Sequence, residues 1–98
     1  MSKEYKAIIS NRSFQQEQFV LSDGNEPPVV YDKTQNAVPS EATCILKAPC
    51  PNFVVSVTNY KGDPDLGDSI KVDAEKGPVE VIFDETRTFT LFPSYNLA

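Results

Sequence analysis

The chain has no histidine and no tryptophan, one methionine, two cysteines and only four glycines in 98 residues. Without histidine there is no Ser-His-Asp or Cys-His arrangement for nucleophilic catalysis, and no imidazole to complete a zinc site. Cys44 and Cys50 do not form a C-x-x-C pair, which removes the thioredoxin-type and ribbon-type readings. The glycines are dispersed, so no phosphate-cradling loop can be drawn. Lacking tryptophan, the chain cannot carry the Cys…Trp…Cys arrangement of an immunoglobulin domain. No apolar run approaches the ~20 residues that a membrane-spanning helix needs. Nine basic residues against fourteen acidic ones leave a net charge of −5. No basic stripe stands out, and a nucleic-acid partner is not expected. A pair of carboxylates could serve glycoside hydrolysis, but the sequence does not set their separation. No enzyme, catalytic residue or cofactor is expected.

The opening stretch MSKEYKAII has charges but no apolar h-region and no small-residue cleavage site, unlike a secretory leader. The expectation is a cytoplasmic protein with two reduced thiols, at least one of them buried. A disulfide between Cys44 and Cys50 is geometrically conceivable. The sequon Asn11-Arg12-Ser13 would matter only in a secreted protein.

What is present is apolar residues in alternation. Apolar residues make up 40% of the chain and ten residues are Phe or Tyr, enough for a folded globule. The length fits a single domain, residues 1–98. No segment sustains a 3.6-residue stripe. In YKAIIS, Tyr5, Ala7 and Ile9 alternate with Lys6, Ile8 and Ser10, the period of a strand with one buried face. EQFVLS places Phe19 and Leu21 together, FVVSV places Phe53, Val55 and Val57, SIKV places Ile70 and Val72, and VEVIF places Val79, Val81 and Phe83. PPVVYD, ATCILKA and TFTLF complete eight runs. SDGNEPP, NYKGDPDLGD and AEKGP separate several of them with turn-forming residues. Eight short strands in about a hundred residues predict an all-β sandwich or barrel. Two prolines flank Cys50 in APCP and divide the runs four and four, as in a duplicated Greek-key unit.

The two halves also share a local pattern. Val55-x4-Tyr60-x-Gly62 in the second half lies over Ile9-x4-Phe14-x-Gln16 in the first. This resembles the aromatic-x4-aromatic-x-Gly signature of the βγ-crystallin family, and it covers nearly the whole chain. The likeness is to the non-lens, microbial and fungal members, such as the fungal abundant perithecial protein type. It implies a Greek-key β-sandwich of two four-strand motifs, about 1–48 and about 49–98. In each, a folded hairpin joins the first two strands and its aromatic packs onto the sandwich. Gly62 fits the backbone conformation that such a hairpin demands. Gln16 does not, and Ile9 and Val55 replace the first aromatic, which makes this a divergent member.

Many members of that family bind calcium through N/D-N/D-x-x-S/T-S. The matching stretches are Pro39-Ser40-Glu41-Ala42-Thr43-Cys44 and Phe83-Asp84-Glu85-Thr86-Arg87-Thr88. Thr43 keeps the ligating hydroxyl, but Pro39 and Ser40 replace both acid or amide positions. In the second stretch Asp84 survives, while Arg87 puts a cation where the hydroxyl belongs. Calcium takes six to eight oxygens, and a guanidinium beside them opposes it. The second site is expected to be dead and the first weak or dead. Asp63, Asp65 and Asp68 do not fit an EF-hand loop. Gly67 occupies the third ligand position, the closing glutamate is missing, and no helices flank the stretch. They read as a solvated insertion before SIKV.

The resulting expectation is a structural or stress- and development-related βγ-crystallin-type protein that has largely lost calcium binding. The alternatives are a secreted binding module of the same fold, toxin-like or protease-inhibitory, and a weak calcium binder. The module would use the loops DKTQNAVPSE and GDPDLGD. No membrane, nucleic-acid or small-molecule partner is implied. Strands such as PPVVYD could pair across an edge in self-association. Calorimetric titration with calcium is expected to give no saturable heat below millimolar concentration; a saturable signal there overturns the assignment.

Overall fold

Alternation with a period of two yields eight strands: β1 (Tyr5–Arg12), β2 (Phe19–Ser22), β3 (Val30–Lys33), β4 (Thr43–Ala48), β5 (Asn52–Thr58), β6 (Pro64–Asp73), β7 (Val79–Asp84) and β8 (Phe89–Pro93). The structure, a computed structural model, describes residues 3–93. They form two four-stranded sheets, ordered β4-β1-β7-β8 and β3-β2-β5-β6. All pairings are antiparallel except β1 with β7, where Ala7 lies beside Val79 and Ile9 beside Val81.

The core fills from the inward phase of each strand. Ala7, Ile9, Val79, Val81 and Phe83 come from the first sheet, and Phe19, Leu21, Phe53, Val55, Val57 and Val72 from the second. Phe19 of one sheet meets Phe83 of the other edge to face, with centroids 5.7 Å apart at 79°. Phe89 closes the trio at 4.6 Å from Phe83. Edge-to-face geometry places the positive rim of one ring on the negative face of the other, worth about 1 kcal/mol beyond area burial.

Each half of the chain divides between the sheets. β1 and β4 lie in the first, β2 and β3 in the second, and the later strands split as β7 and β8 against β5 and β6. β1 and β2 are therefore joined by a crossover between layers, where a folded hairpin was expected. The aspartate-rich stretch also differs from expectation: β6 begins at Pro64, so most of the supposed insertion is strand. Its register with β5 jumps from Ser69 opposite Ser56 to Asp65 opposite Val57. Residues 66–68 bulge out between them, held by Gly67 N–H to Asp65 Oδ1 (3.1 Å) and Ser69 Oγ to the Leu66 carbonyl (2.7 Å). A bulge lets a strand take extra residues at a bend.

The cysteines are free. Cys44 is the second residue of β4 and Cys50 lies beyond its end. Cys44 is half-buried, and burial, with Asp32 nearby, pushes its thiol up to about 11.

The second sheet is buried on both faces at its centre. All four residues of β2 and Phe53–Val57 of β5 are sequestered, including Ser22 and Ser56 on the outward phase. Gly24, at φ +77°, lies over this face, where a Cβ would meet Val54 Cγ2 at 2.6 Å. Only glycine combines that backbone conformation with so close an approach. Ser56 Oγ is buried with no hydrogen-bond partner among the described residues, and an unpaired buried hydroxyl carries its full desolvation penalty. Ser56→Ala should therefore stabilise the fold by about 1 kcal/mol. A urea midpoint below wild type would contradict this.

Candidate functional site

The inward phase of β1 does not stop at its apolar residues. Tyr5, Ala7 and Ile9 are followed on the same parity by Asn11 and Ser13, both buried. Here the chain leaves the first sheet for the second, and side chains supply the hydrogen bonds that no ladder provides. Asn11 Nδ2 donates toward the carbonyls of Val38 (2.8 Å), Gln15 (2.9 Å) and Pro39 (3.3 Å). Its Oδ1 accepts from Ser13 N–H (3.0 Å) and Ser13 Oγ (2.6 Å). Glu17 and Val38 exchange backbone bonds of 3.0 and 2.7 Å, and Ser40 Oγ donates to the Ser13 carbonyl at 2.6 Å. The crossover, residues 13–18, is thereby bound to the β3–β4 loop.

Glu17 is buried at 7% exposure. Its Oε2 receives Ser13 Oγ (3.2 Å), Gln15 Nε2 (3.1 Å) and Arg87 Nη1 (3.3 Å). Arg87 stands in the β7–β8 turn and directs Nε to Asp68 Oδ2 at 3.2 Å. Its guanidinium lies 5.2 Å from the centroid of Phe83. This arginine takes φ +60°, a left-handed conformation that costs a non-glycine about 1 kcal/mol. The turn is fixed by Asp84 Oδ1, which accepts from Thr86 N–H (3.0 Å), Thr86 Oγ1 (2.7 Å) and Thr88 N–H (3.1 Å). The Thr86 hydroxyl and then the Thr88 amide hold the Asp84 carboxyl below its ordinary 3.8. The charged form therefore favours this turn above the usual carboxylate range, and that support is lost as pH falls through the lowered value.

Both calcium-like stretches lie in this frame. Asp84 spends its oxygen on the turn, and Arg87 is drawn inward by Glu17 and Asp68. In the first stretch Ser40 bonds Ser13, the Pro39 carbonyl faces Asn11, and Thr43 Oγ1 lies 3.2 Å from Ser10 Oγ. Among the described residues, no three His, Cys, Asp or Glu come together as a metal cluster. Asp65 holds the bulge and Asp68 holds Arg87, while Asp63 gives its backbone carbonyl to Asn59 N–H.

The hairpin aromatics require a correction. Phe14 and Tyr60 were expected to pack onto the sandwich; they are 84% and 92% exposed. The physical reason is that the neighbouring backbone is fastened by polar groups. Asn59 Oδ1 accepts from Lys61 and Asp63 N–H, and Gly62, at φ +89°, returns its N–H to the Asn59 carbonyl. Tyr60 is carried at the tip of that turn, with Lys61 Nζ 5.7 Å from its ring centroid. Gln16 is not among the left-handed residues and bears no such strain.

Four connections gather at this one end: 13–18, 34–42, 59–63 and 85–88. Thr58 N–H donates to the Gln18 carbonyl and Thr34 N–H to that of Phe19, which joins the second-sheet loops to the crossover. A cleft of about 230 Å³ opens between the first and last of them, lined by Ser13, Phe14, Gln15, Glu17, Glu85 and Arg87. No family model, curated protein or solved structure matches the chain.

Sequence reasoning missed Asn11, Ser13 and Glu17 as site-building residues. The available signal was parity, since positions 11 and 13 continue the buried phase of β1. Asn11→Ala strips a buried junction of five hydrogen-bond contacts and leaves carbonyls orphaned. It should cost about 3 kcal/mol in chemical denaturation; a loss below about 1 kcal/mol would show that the junction does not depend on it.

Proposed function

We propose that the chain is a non-enzymatic interaction module that engages a protein partner through the loop end of its β-sandwich. The observation that carries this reading is the placing of Phe14 and Tyr60, almost wholly exposed, on the same end. Aromatics are enriched at the centres of interfaces because each buries a large area at low conformational cost. Here both stand on loops whose backbones are fastened by Asn11, Ser13 and Asn59, so little ordering remains for binding to impose.

A second reading is a calcium-depleted structural protein of the βγ-crystallin type, resident in the cytoplasm. It is supported by the two-layer, eight-strand architecture, by Gly62 in the left-handed region after Tyr60, and by two free thiols. The separation of β1 from β2 and the exposure of both hairpin aromatics weigh toward the first reading.

Site-specific photocrosslinking in the source cells separates the two. A crosslinker at position 14 or 60 should give discrete adducts with another protein, whereas one at position 75, on the opposite end, should give none. Adducts confined to position 75, or none at any site, would overturn the module reading.

A further inference from the structure

We infer that glycosylation and folding exclude one another at the sequon Asn11-Arg12-Ser13, so that an N-linked sugar on Asn11 locks the chain out of its native state. This goes beyond the loop-end reading and does not depend on it. No other Asn-x-Ser or Asn-x-Thr occurs in the sequence.

The atom at issue is Nδ2. Oligosaccharide transfer forms a bond from that nitrogen to the anomeric carbon of a sugar. It breaks the bond from the same carbon to a lipid pyrophosphate, which leaves, and one amide proton is lost. In the folded protein Nδ2 uses its hydrogens toward Val38 (2.8 Å) and Gln15 (2.9 Å), with the Pro39 carbonyl at 3.3 Å. A glycosylated nitrogen keeps one hydrogen, so a carbonyl of the junction loses its donor.

Space is the stronger obstacle. Asn11 has 0% exposure. Ser13, which completes the sequon, is buried as well and bonds Asn11 Oδ1 through its amide and its hydroxyl. A sugar ring is far larger than the hydrogen it replaces, and close-packed interiors resist even a few added methylenes. The folded protein can therefore neither accept the sugar at this atom nor be rebuilt around it.

Chain order leaves the same atom open before folding. Val38 and Pro39 follow Asn11 by 27 and 28 residues. Ala42, whose carbonyl accepts the Asn11 backbone N–H at 2.9 Å, comes later still. A nascent chain that offers residues 11–13 to a transferase does so before those partners exist. Transfer thus precedes the fold and forecloses it. Phe14 is carried on the crossover that Asn11 fastens, so a glycosylated chain also fails to present the loop end.

The test is translation of the full chain behind a cleavable leader with endoplasmic-reticulum microsomes. A parallel reaction contains an excess of a competing acceptor tripeptide. The product made without competitor should carry one glycan. Once detergent opens the microsomes, protease should digest it at least about tenfold faster than the bare product of the parallel reaction. Ser13→Ala should stay bare in both reactions, which identifies Asn11 as the acceptor. Folded protein purified from the source cells should have the intact mass of the unmodified chain. Equal digestion of glycosylated and bare products, fast or slow, overturns the proposal. So does a leader-bearing chain that stays bare beside a glycosylated control protein in the same tube, or a glycan on Asn11 of the folded protein from its source.

Discussion

The fold depends on how one strand ends. β1 must hand the chain from the first sheet to the second, and at that point its backbone loses ladder partners while still inside the protein. Asn11 meets this constraint with a side chain that imitates two peptide groups, donating toward three carbonyls and accepting from Ser13. Because those carbonyls belong to both the crossover and the β3–β4 loop, one buried amide sets the relative position of both. Glu17 then extends the network to Arg87, and Arg87 to the bulge of β6. The loop end is a continuous polar frame laid over the Phe19, Phe83 and Phe89 cluster.

The frame also accounts for the backbone cost at Arg87. A glycine or asparagine at φ +60° would relieve the turn, but neither could span from Glu17 to Asp68 or cover Phe83. Ion pairs on a half-exposed arginine contribute modestly. The larger effect is to keep Glu17 from being a buried charge without a cationic partner, a state that costs more than the pair itself yields. Local strain is thus balanced by an electrostatic requirement created seventy residues earlier in the chain.

Most of the strands were legible because period-two alternation is a local property. Val79, Val81 and Phe83 face inward, as do Phe53, Val55 and Val57. Which strand neighbours which was not legible, since register depends on partners far apart in sequence. The aromatic spacing at Phe14 and Tyr60 suggested packed hairpins, but aromatic character does not distinguish a ring held down from a ring held out. The difference lies in Asn59 and Asn11, whose hydrogen bonds decide where the loops point. Nor did the aspartates after Gly62 reveal a strand start, because turn-favouring residues serve a bulge as well as a loop. PPVVYD was read as an edge, and β3 is the outer strand of its sheet; not legible was that Asp32 of β3 accepts Lys47 N–H of β4 at 2.9 Å, so a side chain occupies one donor along the neighbouring sheet's edge.

The parallel pairing of β1 with β7 bears on how the molecule is made. β1 is an interior strand, and its second neighbour, from Val79 to Asp84, lies about seventy positions downstream. During synthesis one flank of β1 stays without its partner until about seventy further residues have emerged. Contacts of such sequence separation slow folding because distant segments must be closed before they contribute. The second sheet, whose pairings β2–β3, β2–β5 and β5–β6 are all complete by Asp73, can assemble first and serve as the template on which the other layer is laid.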